Sequence, residues 1–270
     1  MLRDGHIHTL YCPHGSNDLL EQYIERAITL GFSEITFTEH APLPGHFIDP
    51  APARDSSMRK ADLEKYIKEV ETAKKQYASS LKINTGLEVD FISGFEEETT
   101  QFLTEYGSSL DDAILSVHFL PINGQFVCID FSEEEFGRII NEAGSIEFVY
   151  KLYYDTVLQS IQTDLGAFKP SRIGHMTLVH KFQHMFPCTE PFDLHIERIL
   201  QAVKHAGYSL DYNGAGFVKP LCRETYPPAH IARTAHSLGI PLVYGSDAHA
   251  AAGIGQGLEQ IDRTLIEGSV

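Results

Sequence analysis

Apolar and polar positions alternate along the chain in a regular β/α rhythm. Short apolar runs bounded by turn residues read as strands, and longer stretches with apolar residues three and four apart read as amphipathic helices. Asp4-Gly5-His6-Ile7-His8 opens as a strand, and residues 18–30 follow as a helix, with Asn17 or Asp18 as its cap and Gly31 as its stop. Glu34-Ile35-Thr36-Phe37-Thr38 is the second strand, leading into Glu39-His40. A proline-rich loop over 41–53 is long enough to be a lid or wall. Residues 57–78 read as a helix rich in Lys and Glu, and 81–87 as the third strand, running into Glu88-Val89-Asp90. A helix over 95–106 precedes the fourth strand, 113–117, which ends at His118. Asn123-Gly124 centres a small hairpin over 122–127. Helices over 133–141 and 146–164 lead to a short strand at Arg172-Ile173-Gly174 and then to His175. A helix over 191–205, a strand over 208–212, a helix over 228–238 and a strand over 241–244 follow. The last strand ends at Ser246-Asp247-Ala248-His249, before a closing helix over 256–266.

Seven strands alternating with helices predict a closed or nearly closed parallel barrel; an open doubly wound sheet is the structural alternative. The first strand is not followed by Gly-x-Gly-x-x-Gly, which weakens a dinucleotide-binding fold. With no internal repeat, low-complexity tract or linker in the sequence, one domain over residues 1–270 is expected.

Composition narrows the setting. Hydrophobic content of 43% and charged content of 21% fit a globular chain with a sizeable core. No run of 18 apolar residues occurs and no signal peptide precedes Asp4, so no membrane span and a cytoplasmic location are expected. Cys12, Cys128, Cys188 and Cys222 are scattered without a Cys-x-x-Cys pair and read as ordinary reduced thiols. The net charge of −16 and the lack of a basic block count against nucleic acid as a partner. An anionic substrate would have to be drawn in locally, by metal ions and a few arginines.

The chemistry lies at the strand ends. In a strand, side chains two apart share a face, so His6 and His8 point the same way about 7 Å apart and can grip one divalent ion. A lone His-x-His is weak, but the pattern recurs. In parallel barrels the active site sits at the C-terminal ends of the strands. There the chain places His6, His8, His14, His40, Glu88, His118, His175, Asp247 and His249. Seven histidines and two carboxylates are too many for one tetrahedral zinc and suit two or three ions sharing bridging carboxylates.

Taken together, His6-x-His8, His14, Thr38-Glu39-His40, Gly86-Leu87-Glu88, Ser116-Val117-His118, Gly174-His175 and Ser246-Asp247-Ala248-His249 resemble the PHP (polymerase and histidinol phosphatase) family, in order and over nearly the whole chain. The resemblance is closest to its stand-alone phosphatases. It implies a distorted seven-stranded (β/α) TIM-like barrel with three divalent transition-metal ions, of zinc, manganese or iron. Carried over, His6, His8, Glu88 and Asp247 would hold the first ion. Glu88 would bridge to a second, completed by His118 and His175, and His14, His40 and His249 would hold the third. Two ions about 3.5–4 Å apart can share a hydroxide at neutral pH and neutralise phosphoryl oxygens during in-line displacement. Arg172 and Arg223 are assigned to the phosphate by position and by resemblance, since planar guanidinium groups suit bidentate phosphate binding. Asp18 and Ser93 are weaker candidates for the pocket wall, and Glu39 for a partner that orients a histidine.

The implied activity is hydrolysis of L-histidinol phosphate to L-histidinol and phosphate in histidine biosynthesis, with Glu88, Asp247, Arg172 and Arg223 as the catalytic set. Another small phosphate ester, a nucleic acid, or a non-catalytic metal-binding role are the alternatives. Oligomeric state is left open.

Overall fold

Seven strands form one all-parallel sheet: β1 (Arg3–Ile7), β2 (Glu34–His40), β3 (Lys82–Asp90), β4 (Asp112–Ser116), β7 (Arg172–Ile173), β8 (Ser209–Asn213) and β9 (Leu242–Gly245), hydrogen-bonded in that order. A hairpin of β5 (Phe119–Ile122) and β6 (Gln125–Cys128) stands apart from it. The structure, a computed structural model, describes residues 2–266. Helices α1 (Leu20–Thr29), α2 (Leu63–Tyr77), α3 (Glu96–Tyr106), α4 (Glu133–Ala143), α5 (Ile146–Gln162), α6 (Asp193–Ala206), α7 (Ala215–Val218) and α8 (Ala229–Ser237) fill the connections. The sheet curls until its edges meet. Ile7 on β1 bridges Ala248 just past β9, with His8 N donating to Ala248 O at 2.9 Å and Asp247 N to His6 O at 2.7 Å. The result is the expected distorted seven-stranded barrel in a single domain.

Local sequence explains the elements. In β2, Ile35 and Phe37 alternate with Thr36 and Thr38, and all four are buried, as a strand covered on both faces requires. Tyr66 of α2 fastens the helix to the sheet by donating its hydroxyl to Phe37 O and Gly86 O, at 3.0 and 2.8 Å. Ser132 and Ser145 cap α4 and α5 by accepting from Glu135 N and Phe148 N. Asn123 and Gly124 both have positive φ, 49° and 79°, which the two-residue hairpin turn demands.

β2 runs to His40 and β3 to Asp90, so those side chains sit on the rigid strand ends where the sequence reading placed them. The closing helix over 256–266 does not form; the segment is a series of turns with one 3-10 turn, Arg263–Leu265. Gly255 and Gly257 adopt left-handed φ of 81° and 73°, which breaks a helix at its start. Gly257 also lies so close to Gly214 that a Cβ there would meet its carbonyl oxygen at 2.3 Å. Among the described residues no helix is long and apolar enough to cross a membrane.

Candidate metal centre

Every one of the nine strand-end residues reaches the same rim. His6 lies within β1 and His8 just beyond it; His40 ends β2; Glu88 lies near the end of β3. His118, His175 and the Asp247–His249 pair follow β4, β7 and β9. Glu88 is the hub, with only 1% of its surface exposed. Its Oε2 lies 3.3 Å from His6 Nε2, 3.5 Å from His8 Nε2 and 3.1 Å from His40 Nδ1. Its Oε1 lies 2.9 Å from His175 Nε2 and 3.8 Å from His118 Nε2, and accepts from Ser116 Oγ at 2.5 Å. Asp247 Oδ1 is 3.1 Å from His8 Nε2 and 3.8 Å from His6 Nε2. His14 Nε2 faces His249 Nε2 at 3.2 Å.

A second layer of acceptors turns the imidazoles inward. His6 Nδ1 meets Asp211 at 2.8 Å, His118 Nδ1 meets Asp90 at 2.7 Å, and His14 Nδ1 meets the Asp55 carbonyl at 2.7 Å. Glu39 takes the position expected for it, 3.4 Å from His8 Nδ1, and its other oxygen is held by Thr9 N and Thr9 Oγ1. An acceptor on Nδ1 makes that nitrogen the protonated one and leaves Nε2 with a free lone pair toward the centre. Asp211 and Asp90 were not singled out from the sequence. The signal was present in Asp90, two residues after Glu88 on the same strand face.

The donor set itself shows what it suits. His6 Nε2 and His8 Nε2 face each other at 3.2 Å, and so do the nitrogens of His14 and His249, an arrangement in which lone pairs oppose unless a cation lies between them. Both ring nitrogens of His40 and Nδ1 of His175 are buried without a hydrogen-bond partner; the approach of Glu88 to His40 is too poorly aligned to be one. Three groups have ligand atoms within 4.8 Å of one another: His6, His8 and Asp247; Glu88, His118 and His175; and His8, Cys12, His40 and His249. Cys12, read from the sequence as an ordinary thiol, thus belongs to the cluster. Imidazole nitrogens with carboxylate oxygens suit zinc, manganese or iron.

Without ions, the charges settle among themselves. Burial opposes charging His6, but Glu88, Asp211 and Asp247 outweigh it and raise its pKa well above the ordinary value. His8 is pushed up to about 9 and His118 to about 10, burial in each being overcome by neighbouring carboxylates. Burial raises the pKa of Glu88 and Asp247, yet the surrounding histidines hold both well below the carboxylate range. His40 and His249 are depressed, first by burial and then by His8.

A profile for the PHP domain matches residues 4–215 of the chain, and one described as PHP-associated matches residues 230–267. The chain belongs to the PHP family. It is 48% identical over 259 residues to the histidinol-phosphatase of Bacillus subtilis, covering 95% of this chain and 97% of that one. A crystal structure from Listeria monocytogenes superposes with a TM-score of 0.92 at 44% identity, over 96% of this chain and 99% of that one. The Lactococcus lactis histidinol phosphate phosphatase, solved with zinc, L-histidinol and phosphate, superposes with a TM-score of 0.73 at 24% identity, over 99% and 93% of the two chains. At that identity it speaks to the fold.

Above the cluster of this PHP chain lies a cavity of about 640 Å³, within the range of small-molecule sites. The cations on its wall are lysines. Lys181, in a 3-10 turn over Leu178–Phe182, is bound to Asp130 through Oδ2 at 2.9 Å and the carbonyl at 2.5 Å; Lys219 follows α7 and is exposed.

Four residues assigned to the pocket from the sequence lie off the cavity wall. Arg172 is 2% exposed inside the barrel, where Nη2 donates to Asp112 Oδ2 at 2.6 Å; three residues before His175 on an upright strand is well below the rim, too deep to meet a phosphate. Arg223 is exposed, off the cavity wall, with Nε donating to Pro220 O at 3.0 Å. Asp18 neither lines the cavity nor caps α1; its Oδ2 accepts from Ala251 N at 2.8 Å and ties the approach to α1 to the loop after β9. Ser93 lies off the cavity and accepts from Gln159 Nε2 at 3.3 Å, because the turn after β3 points its hydroxyl toward α5.

Proposed function

We propose that this PHP chain is a metal-dependent phosphomonoesterase that hydrolyses L-histidinol phosphate to L-histidinol and phosphate in histidine biosynthesis, in the cytoplasm. The observation that carries it is the gathering of nine histidine and carboxylate side chains on one rim beneath a cavity of substrate size, in a chain similar end to end to a histidinol-phosphatase. His6, His8, Glu88 and Asp247 would hold one ion, Glu88, His118 and His175 a second, and His14, His40 and His249 a third; zinc, manganese and iron all suit these donors. Bound there, the ions supply Lewis-acid charge and a source of nucleophilic hydroxide at neutral pH. The chain does the rest. Asp211, Asp90 and Glu39 fix the ring tautomers, so that the imidazoles need no reorganisation. Lys181 and Lys219 offer ammonium groups to a phosphate in the cavity, in the role expected of Arg172 and Arg223. Asp130 holds Lys181 charged and in place, its carboxylate outweighing the burial that would otherwise lower the lysine pKa. The net charge of −16 disfavours a nucleic acid and suits a substrate whose other end is cationic.

The test is phosphate release by metal-loaded protein. kcat/KM for L-histidinol phosphate should exceed that for a plain aryl phosphate by at least ~10²-fold, on the order of 3 kcal/mol of differential transition-state stabilisation. Glu88→Gln, which keeps size and removes the anionic bridge, should lose metal and most activity. Equal efficiency on both esters would retire the biosynthetic substrate, and near-normal turnover of Glu88→Gln with full metal content would move the bridge elsewhere.

A further inference from the structure

Four carboxylates line the catalytic cavity, and three are committed. Glu88 and Asp247 are enclosed by histidines, and Asp130 is neutralised by Lys181. The fourth, Asp55, has no ion pair or hydrogen bond to its carboxylate among the described residues. It is half-buried in the long loop between β2 and α2.

That loop is pinned. Asp49 accepts from Ala51 N, Ser56 N and Ser56 Oγ at 2.9, 3.0 and 2.9 Å, closing the turn that carries Asp55. Arg54 N donates to Ala51 O at 2.9 Å, and Arg54 takes a left-handed φ of 52° to turn the chain just before Asp55. The Asp55 carbonyl meets His14 Nδ1 at 2.7 Å, and Met58 N donates to His40 O at 3.2 Å. The carboxylate is therefore mounted directly on the rim of the donor cluster rather than on a swinging tip.

Its position relative to the cavity's uncommitted cation follows from topology. Asp55 comes from the loop after β2 and Lys219 from the loop after β8. Around the ring, β1 and β9 separate those strands on one side and β3, β4 and β7 on the other, so the two charges face across the mouth. A phosphate drawn to the cluster and Lys219 leaves the far end of the substrate toward Asp55.

We infer that Asp55 is a specificity-determining residue, whose carboxylate pairs with the cationic amine of the substrate and sets a preference for amine-bearing phosphate esters over otherwise identical neutral ones. This rests on the proposed phosphomonoesterase reading and adds the residue that reads the leaving alcohol. A charge-assisted hydrogen bond to the amine is one the neutral ester cannot make, and it leaves Asp55 unpaired when that ester binds.

The experiment compares wild type and Asp55→Asn, matched in metal content by elemental analysis, on L-histidinol phosphate and on the imidazolylpropyl phosphate lacking only the amine. Wild type should prefer the amine-bearing ester. Asp55→Asn should lower the ratio of the two kcat/KM values by ~10–100-fold, with the loss carried by the amine-bearing ester and mainly in KM. Inhibition by L-histidinol should weaken by a similar factor while inhibition by inorganic phosphate holds, and Asp55→Glu should recover part of the preference. Equal wild-type efficiency on both esters, or a parallel loss on both in Asp55→Asn, overturns the inference and leaves the phosphatase reading standing. Hydrolysis of neither ester by metal-loaded wild type overturns both.

Discussion

Gly174→Ala should damage the centre through a neighbour that never touches the substrate. A Cβ at Gly174 would stand 2.0 Å from Ser116 Oγ and 2.9 Å from Ile114 Cγ2. Both strands are fixed there, with Gly174 N bonded to Leu115 O at 2.9 Å, so the hydroxyl must rotate away. It then abandons Glu88 Oε1, to which it donates at 2.5 Å in a fully buried setting. Losing a hydrogen bond to a buried charged group costs about 1.5–3 kcal/mol. The remaining squeeze on Ile114 adds about 1 kcal/mol of overpacking. The total is about 3 kcal/mol. Ser116→Ala alone should cost about 2 kcal/mol, for the same hydrogen bond. The double variant should then cost about 3 rather than 5 kcal/mol, a coupling of about 2 kcal/mol, because the hydroxyl can be lost only once. Urea unfolding of the four proteins, all stripped of metal, measures the cycle. Additive costs, or a Gly174→Ala cost under about 1 kcal/mol, would refute the claim that this glycine protects the Ser116–Glu88 contact.

Replacing the cations separates clamp from strut: Lys219→Met should raise KM for the phosphate ester by about tenfold, whereas Arg172→Met should leave KM within about twofold and act on stability; steady-state kinetics showing the reverse would restore the arginine to the substrate. Metal-free protein should weaken in alkali. His8 at about 9 and His118 at about 10 lie above the unfolded value of 6.5, so their contribution is fully present below pH 6.5 and is lost as pH rises through 9 to 10. The urea midpoint of chelator-treated protein should therefore fall between pH 7 and pH 10 by more than that of metal-loaded protein, in which ligation requires neutral imidazoles; parallel pH profiles would contradict this.

The barrel was legible because its strands are short apolar runs, all but β8 closed by or followed within a few residues by a histidine or carboxylate, and in a parallel barrel sequence adjacency to a strand end is spatial adjacency to the rim. His40, Glu88 and His118 needed nothing more. What failed was depth and side. Arg172 is close to His175 in sequence but lower in the barrel, and a two-residue strand gives no periodicity by which to judge where its side chain goes. Lys181 sits in a 3-10 turn and Asp55 in an irregular loop, neither of which has a pattern that points a residue anywhere. Cys12 joins three histidines from three separate segments, a meeting that only the folded chain brings about. The closing helix was drawn through Gly257 and directly after Gly255, both of which the fold uses in left-handed conformations.

The seam where β1 meets β9 has a consequence for how the protein is made. The ring closes through a few hydrogen bonds between residues more than 200 positions apart, and the donor cluster straddles that closure, with His6 and His8 on one lip and Asp247 and His249 on the other. A chain emerging from the ribosome carries its first ligands long before the last strand exists, and an ion caught early would find half a nest. Contacts of such long sequence separation form late and slowly. Ions held by these donors would therefore load only once the last strand is in place, and would also act as a clasp that keeps the first and last strands together.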